Sequence, residues 1–431
     1  MSATDSRPAE QTEQFTVAQW AAAVFVVLVP IHGLYLDIGF SFKPWFLPLL
    51  IGLAAGFVGV VKAALGLPRV LQIGIALVAV GGVLGMLNSA NQGSAVRHLI
   101  AIGIAVSVMV LLMSVERIPY LGVAVRTGAL IMVTAVIVEA LLVMPHWVAV
   151  ETLETGTSYL GPLAEIAYGD IILVTGTHDD SNFSAMYAAV FLFLMLAFPA
   201  ERWFNRRADG IMIGLLVVQL FLSLSKTGLL AVGVAIGVTY LFYRGARQWR
   251  NAKPSFAAGL IAFLGVGSVL LVVDATDGEH DIAHGLRKRG GQVLIEAEQA
   301  AGLATGGAVN ADSRAAIWRR YGQDFLDNPL TGIGYGPRVA GYTYAHSAPL
   351  EAAAGAGVLG LAGWLAMWTA VALTLWRLVR ARPETLPLVG VFGVVTMSSM
   401  FLSTNYEPIV GLVFGIILAP HLPRLVEPDH Q

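Results

Sequence analysis

His346 is the residue of this chain best suited to take part in a reaction. It lies where a long polar segment meets an apolar run that reaches about Trp376. Ser347 is suited to cap the helix predicted there, and Pro349 fits its first turn. The positive end of the helix dipole favours a neutral imidazole at His346, and neutral imidazole can accept a proton from a hydroxyl group. His346 is therefore a candidate general base or a group that only orients a hydroxyl; a headgroup-level histidine without chemistry is the alternative. Glu351, one turn later, complements the same dipole, and a role as the base is secondary for it.

The segment before His346 predicts an amphipathic helix that carries Arg314. In NADSRAAIWRRYGQDFLDNPLTGIGYG (310–336), the aromatic residues recur at helical spacing and share one face with Arg314: Trp318, Tyr321 and Phe325. Such a helix would rest at the membrane interface with its aromatic side chains among the headgroups. Arg314 would then face membrane or protein, and its guanidinium group has the shape to bind a phosphate there. The alternative is an ordinary interfacial helix whose arginines contact lipid phosphates.

Three glycines follow this helix in PLTGIGYG, at positions 332, 334 and 336. Such a loop can present backbone N–H groups to an anion, and a plain flexible turn is the alternative. No strand is predicted before it, so the spacing does not indicate a dinucleotide-binding fold.

The composition indicates that membrane helices must position these residues. Of the 431 residues, 56% are hydrophobic and only 13% are charged, with a mean hydropathy of +0.72. A soluble domain carries about 25% charged residues on average. The net charge of −2 does not suggest nucleic acid as a partner, and the absence of cysteine excludes disulfides and thiolate chemistry. The N-terminal residues are polar and not basic, so we expect no cleaved signal peptide.

We therefore predict an all-α polytopic membrane protein with about twelve transmembrane helices, forming a single membrane domain over residues 1–431. The apolar runs lie near 15–35, 45–61, 69–87, 98–115, 119–144, 181–199, 210–225, 227–243, 255–273, 348–376, 387–403 and 408–420. The positive-inside rule places both termini in the cytoplasm, because the short connections rich in arginine and lysine then face the cytosol. A first loop, 145–180, and a large loop, 274–347 between the ninth and tenth spans, then lie on the outer side.

Four stretches, in order along the chain, resemble the bacterial O-antigen ligase and O-antigen polymerase superfamily. DDSNFSAMYA (179–188) is similar to a weak Asp-x-x-Asn element of the family, and SLSKTGLLA (223–231) resembles its Ser-Arg/Lys motif. SRAAIWRRYGQDFLDNPLTGIGYG (313–336) is similar to Arg-x-x-x-Trp followed by Pro-Leu-Thr-Gly-x-Gly, and HSAPLEAAAGAGVLG (346–360) to His-Asn-x-x-Leu with a later Gly-x-x-Gly. The chain departs from the pattern at Lys226, where ligases typically carry Arg, and at Ser347, where Asn is usual.

The resemblance implies a GT-C-like fold in the bacterial inner membrane, with a periplasmic active site and a role in lipopolysaccharide or polysaccharide biosynthesis. It implies metal-independent, inverting transfer of a glycan from undecaprenyl diphosphate to an acceptor sugar hydroxyl, without a cofactor. The acceptor is the lipid A core in ligases and the end of another repeat unit in polymerases. Lys226 favours a polymerase or exopolysaccharide relative, but the choice between ligase and polymerase stays open.

The leaving group of that reaction is a diphosphate. Cationic side chains can stabilise its negative charge without a metal. The candidate diphosphate-binding residues are Lys226, Arg314, Arg287 and Arg289. The alternatives are snorkelling of Lys226 to the headgroups and a solvated charge run at 287–289. The catalytic candidates are His346 and Arg314, and the candidate substrate-binding residues are Asp180, Asn182, Glu351 and Arg338. Capping of the sixth span explains Asp180 and Asn182 adequately without sugar binding.

A second function class is a polytopic transporter or flippase for an anionic lipid-linked sugar. Transporters place functional charges near the bilayer midplane, on broken helices, often within repeated halves. Here the charges crowd the outer loop and the sequence shows no internal repeat, which favours the enzyme.

Overall fold

The predicted helical class is confirmed by the structure. A computed structural model of the chain describes residues 15–32, 36–37, 41–115, 118–143, 164–167, 171–174, 177–178, 180–198, 205–223, 225–245, 314–336 and 344–419. These parts are helical apart from two short antiparallel hairpins, which the sequence reasoning does not predict. Leu36–Asp37 (β1) pairs with Ser41–Phe42 (β2), and Ala164–Ala167 (β3) pairs with Ile171–Val174 (β4).

The described part of the chain contains thirteen α-helices. In chain order they are α1 Val17–Leu28, α2 Phe46–Ala55, α3 Phe57–Leu65, α4 Arg69–Leu87, α5 Gln92–Ser114, α6 Leu121–Val143, α7 Ser181–Ala197, α8 Arg206–Leu222, α9 Lys226–Gly245, α10 Arg314–Asp327, α11 Ala348–Ala381, α12 Pro387–Phe401 and α13 Pro408–Leu418. Short 3-10 turns at Pro383–Thr385 and Thr404–Tyr406 precede α12 and α13.

Each predicted apolar run in the described part of the chain overlaps a helix, and the run at 255–273 lies outside the described residues. Helices α4, α5, α6, α11 and α12, the last with its preceding turn, are long and apolar enough to cross a membrane. Helices α2 and α3 would add a sixth crossing, bent by 84°. Other apolar helices have 10–17 residues, fewer than the roughly 20 that a bilayer requires, so twelve crossings and a GT-C-like fold stay predictions.

Helix α7 lies at the centre of the fold, with its side chains buried along almost its whole length. It packs against α6, α8, α9 and α12. Small residues allow the closest approaches: a Cβ at Gly228 of α9 would overlap Ala185 of α7, and one at Gly390 of α12 would overlap Phe193. Such close van der Waals packing is what holds helices together in lipid, where apolar side chains gain little by leaving the solvent. The start of α9 is thereby held against the first turns of α7.

Helix α11 is broken at Gly357, whose φ of 64° and ψ of −158° are not helical. Segment 329–334, which follows α10, runs beside the break and replaces the lost helical hydrogen bonds. Three backbone bonds of 2.7–2.9 Å join them: Val358 N to Pro329 O, Ile333 N to Ala354 O, and Gly334 N to Gly355 O. On its other side α11 packs against α4, where a Cβ at Gly85 would overlap the carbonyl oxygen of Gly355.

Hydrogen bonds between connecting segments define one end of the bundle, which we call the site end. It comprises the α1–α2, α4–α5, α8–α9, α10–α11 and α12–α13 connections and the start of α7. The bonds that join them include Asn88 to Gly332 O (2.8 Å), Ser225 to Asn182 (2.8 Å), Asn405 to Ala348 O (2.7 Å) and His32 N to Thr177 O (2.9 Å). Segments far apart in sequence therefore meet at this end.

A buried ion pair lies at the opposite end, between α6 and α8. Arg126 is 1% exposed, and its Nε and Nη2 donate to the carboxylate of Asp209 at 2.7 and 2.6 Å. Its Nη1 donates to the carbonyl oxygens of Gly122 and Phe198. A charge within a membrane helix is costly unless it is paired, and these four bonds compensate the guanidinium.

Candidate functional site

The first part of the candidate site joins α7 to α9. Asp180 caps α7, its side chain accepting from the backbone N–H of Asn182 at 2.6 Å, so the capping explanation is confirmed for this residue. Ser225 lies just before α9 and accepts from the backbone N–H of Gly228 at 3.0 Å. The Ser225 hydroxyl donates to Oδ1 of Asn182 at 2.8 Å. The Asp-x-x-Asn and Ser-Lys stretches, separate in sequence, are therefore in direct contact.

The second part joins α10 to the residue before His346. The indole Nε1 of Trp318 donates to the carbonyl oxygen of Ala345 at 2.8 Å, and its ring lies 6.0 Å from that of Phe401 at the end of α12. Tyr321, one turn further along α10, is buried against Ala345 and α11. The helix predicted from the aromatic spacing is confirmed, and it rests on the start of α11.

Lys226 and Arg314 are each the first residue of a helix, α9 and α10 respectively. The first turn of a helix has unpaired backbone N–H groups and the positive end of the dipole, so both positions favour an anion. The side chains of these two residues, together with Arg287, Arg289 and Arg338, lie outside what the structure describes.

His346 has a left-handed backbone, with φ of 49°. Ser347 is the N-cap of α11 as predicted, with extended backbone, but its hydroxyl makes no capping hydrogen bond. The turn at His346 redirects the chain between the carbonyl held by Trp318 and the first turn of the helix. The imidazole is half-buried at the mouth of this turn.

Glu351 is buried, at 3% exposure, and does not simply complement a helix dipole as the sequence suggests. The hydroxyl of Ser403 donates to its Oε1 in a very short hydrogen bond. Its Oε2 is buried with no hydrogen-bond partner among the described residues. Because an ionisable group is costly to bury in apolar surroundings, the placement of this carboxyl group points to a specific role.

Tyrosines surround the Glu351 carboxyl group. They are Tyr321, Tyr335, Tyr344 and Tyr406. Burial, and secondarily the nearby carboxylate, raises the pKa of each of these phenols above its ordinary value, so the hydroxyls stay protonated donors at neutral pH. The site therefore offers ring faces and neutral hydroxyl groups around one acid.

His98 of α5 fixes the segment that leads into His346. Its Nδ1 lies 2.7 Å from the carbonyl oxygen of Ser94, which can only accept, so Nδ1 carries the proton. In the neutral ring Nε2 is then the acceptor for the hydroxyl of Tyr344, at 3.1 Å. Tyr344 lies two residues before His346, so α5 takes part in placing it.

Backbone hydrogen bonds hold the first part of the glycine-rich loop in place. The three glycines have φ values of 63°, 87° and 107°, which other residues rarely adopt. The N–H groups of Gly332, Ile333 and Gly334 donate to backbone carbonyls, so they are not open to an anion, and the loop is bonded to α11 rather than a plain flexible turn. A polar cavity of about 180 Å³ lies beside it, lined by Asn88, Ser89, Ala90, Asn91, Asn328 and residues 333–336.

The sequence reasoning missed the segment from Ser403 to Glu407, which holds the start of α11. Ser403 bonds Glu351, and Nδ2 of Asn405 donates to the carbonyl oxygen of Ala348 at 2.7 Å. The available signal was a run of polar residues, STNYE, ending in a carboxylate between two apolar runs.

Residues 211–365 match the protein family described as Wzy_C, O-Antigen ligase. The matched region contains the starts of α9, α10 and α11, and therefore Lys226, Arg314 and His346. Asn182 and the 403–407 segment lie outside it. Among curated proteins, none matches the chain.

Proposed function

We propose that this chain, which belongs through residues 211–365 to the O-antigen ligase and polymerase superfamily, is a membrane glycosyltransferase. It transfers a glycan from undecaprenyl diphosphate to the hydroxyl of an acceptor sugar. The acceptor is the lipid A core or a growing polysaccharide repeat. The reaction takes place at the periplasmic face of the bacterial inner membrane, and both chain termini are cytoplasmic.

In this reaction the acceptor hydroxyl oxygen attacks the anomeric carbon of the glycan from the side opposite the diphosphate. The bond from that carbon to the diphosphate oxygen breaks, its electron pair stays on the diphosphate, and the configuration inverts. The hydroxyl proton passes to a base. The site therefore needs a proton acceptor on the hydroxyl side and positive charge on the diphosphate side.

We assign the hydroxyl side to His346, which accepts the proton or orients the hydroxyl. Lys226 and Arg314, with Arg287 or Arg289, stabilise the leaving diphosphate, so that the step is metal-independent. Asp180, Asn182, Glu351 and Arg338 are assigned to substrate binding. Ser403 holds one oxygen of the Glu351 carboxyl group.

The observation that carries this proposal is the convergence of the family motifs at the site end. Ser225, next to Lys226, bonds Asn182, and Trp318, one turn after Arg314, bonds the carbonyl next to His346. The 403–407 segment links the two halves, because it contacts Glu351 of α11 and Tyr187 of α7. The surrounding tyrosines suit a sugar, since their rings offer apolar faces and their hydroxyls offer donors.

A deletion strain complemented with the wild-type gene tests this function. If the chain is a ligase, the deletion leaves unmodified lipid A core, with glycan retained on the carrier. If it is a polymerase, single repeats remain attached to the core. Normal glycan length and normal attachment in the deletion strain would contradict the proposal.

The His346→Ala and His346→Asn variants, introduced into that strain, test the assigned base. We expect both to lower transfer by about 10²–10⁴-fold, the range of general base catalysis, while membrane insertion is unchanged. Asparagine tolerates the left-handed backbone better than most residues. Activity retained in the Asn variant but lost in the Ala variant would therefore contradict a role of the imidazole as the base.

A further inference from the structure

A second polar cluster lies at the site end, built from elements outside residues 211–365. Its centre is the carboxylate of Glu407, at the N-cap position of α13. The hydroxyl of Tyr187 on α7 donates to Oε2 of Glu407 at 3.1 Å, and Nε2 of His32 lies 3.5 Å from the same oxygen. Nζ of Lys43 lies 2.7 Å from Nδ1 and 3.2 Å from Nε2 of the same His32 ring. Three parts of the fold therefore meet in this cluster: α13, α7 and the α1–α2 connection.

A stack of rings encloses this cluster. The rings of His32, His178 and Tyr187 pack against one another, with centroid separations of 5.8 Å for His32–His178, 4.3 Å for His178–Tyr187 and 6.4 Å for His32–Tyr187. His32 also stacks on Trp45, and its backbone N–H donates to Thr177 O at 2.9 Å. Tyr187 and His178 are fully buried, and Glu407 is 8% exposed. The cluster is thus a packed part of the interior and not a set of surface charges.

Glu407 is continuous with the segment that holds the candidate active site. Its backbone N–H donates to the carbonyl of Thr404 at 3.0 Å, which closes the 3-10 turn containing Asn405 and Tyr406. That turn carries the two contacts with α11, from Ser403 to Glu351 and from Asn405 to Ala348 O. A displacement of Glu407 is therefore transmitted to the first turn of α11, directly after His346.

A buried carboxylate adds little net stability compared with an apolar residue of similar size, but loss of one of its hydrogen-bonding partners is strongly disruptive. Such a cluster is well suited to defining one position for the segment that contains it. We propose that Glu407 is a positioning residue for the site of His346 and Glu351, held by Tyr187, His32 and Lys43. Only the expected effect of Glu407 on catalysis rests on the proposed function. Its effect on the position of the first turn of α11 can be measured without an activity assay.

The test compares Glu407→Gln with Asp209→Asn, using purified full-length protein. Both variants replace one carboxylate by its amide, but Asp209 pairs with Arg126 at the opposite end. We expect Glu407→Gln to lower kcat per folded molecule about 10–100-fold, the scale of a small misplacement of reacting groups. Asp209→Asn should lower the melting temperature and leave kcat unchanged. A normal kcat for Glu407→Gln would overturn the proposal.

A double-mutant cycle with Ser403→Ala separates positioning from a general loss of stability. If Glu407 acts through the 403–405 segment, the effects of Glu407→Gln and Ser403→Ala on kcat are less than additive. Additive effects would overturn the proposal. Tyr187→Phe removes a single hydroxyl from the cluster, and it replaces Glu407→Gln in the cycle if the latter does not fold.

Hydrogen exchange of the peptide containing residues 344–351 supplies a readout independent of activity. We expect Glu407→Gln, but not Asp209→Asn, to accelerate exchange in this peptide. Unchanged exchange would overturn the proposal. An inactive wild-type protein would refute the proposed function, and accelerated exchange would then still support the positional role of Glu407.

Discussion

His346 shows how strongly a single residue is determined by its neighbours. Its φ of 49° is unusual for a non-glycine residue. Such conformations cost about 1–3 kcal/mol and persist only where the surrounding structure imposes them. Here the residues on both sides are fixed, because Trp318 bonds Ala345 O and the backbone N–H of Glu351 bonds Ser347 O. Strained conformations of this kind cluster at functional sites, which agrees with the role proposed for the imidazole.

Arg314 allows a test of the diphosphate assignment. We expect Arg314→Ala to lower kcat/KM for the polyprenyl-diphosphate donor by about 10²–10³-fold, comparable with the loss of one donor to a developing anion. Arg314→Lys should be intermediate, since lysine keeps the charge but loses the bidentate geometry. Steady-state transfer assays with varied donor concentration measure both effects.

Arg319→Ala is the matched control for Arg314, because Arg319 is exposed on the same helix. It should leave donor use unchanged. If Arg314→Ala and Arg314→Lys have equal and negligible effects, Arg314 only contacts lipid headgroups.

At the scale of elements, the site depends on the contact between α10, its following loop and α11. The break at Gly357 exposes backbone groups of α11, and the loop at 329–334 bonds them. Residue Trp318 then fixes α10 against the start of α11. The Arg314 and His346 stretches consequently form one structural unit, in which the glycines serve backbone pairing rather than anion binding.

Replacement of Gly332 by Ala tests this unit. The residue has a φ of 63°, and an added Cβ would lie 2.5 Å from the carbonyl carbon of Gly355. We expect the substitution to lower the free energy of unfolding by more than about 1 kcal/mol, because both the conformation and the contact are unfavourable. Thermal unfolding in detergent measures the change.

Gly322→Ala is the control within α10, where an added Cβ meets nothing within 4 Å. Alanine in a helix interior is favoured over glycine by roughly 0.5–1 kcal/mol, so this variant should be as stable as wild type or more so. Equal melting temperatures for the Gly332 and Gly322 variants would contradict the stabilising role of the contact between the loop at 329–334 and α11.

At the scale of the whole molecule, the two ends of the bundle differ in chemistry. The site end contains the His346, Glu351 and Glu407 groups, while the opposite end contains the Arg126–Asp209 pair and the starts of α6 and α8. We propose from the positive-inside rule that the site end faces the periplasm.

Cysteine labelling tests this orientation, since the natural chain contains no cysteine. Ala90 is exposed at the site end and Arg207 is exposed at the opposite end. In spheroplasts, a membrane-impermeant maleimide should label Ala90→Cys but label Arg207→Cys only after lysis. The reverse pattern would place the candidate site in the cytosol and contradict the proposed function.

The sequence by itself determined the helical membrane class, because low charge and long apolar runs leave few other ways to satisfy the backbone in lipid. It also indicated the helices at Arg314 and Ala348, because aromatic periodicity and a proline in the first turn act locally. The motif resemblance pointed to the family whose model matches residues 211–365.

Only the tertiary structure decided which of these residues meet. The bonds from Ser225 to Asn182, Ser403 to Glu351 and Tyr187 to Glu407 span 43, 52 and 220 positions, and no local pattern encodes a pairing at that distance. The burial of Glu351 and Glu407 follows from the packing of α7, α11 and α13 around them. A polar residue in a sequence carries no sign of whether its neighbours in space will leave it in water or enclose it.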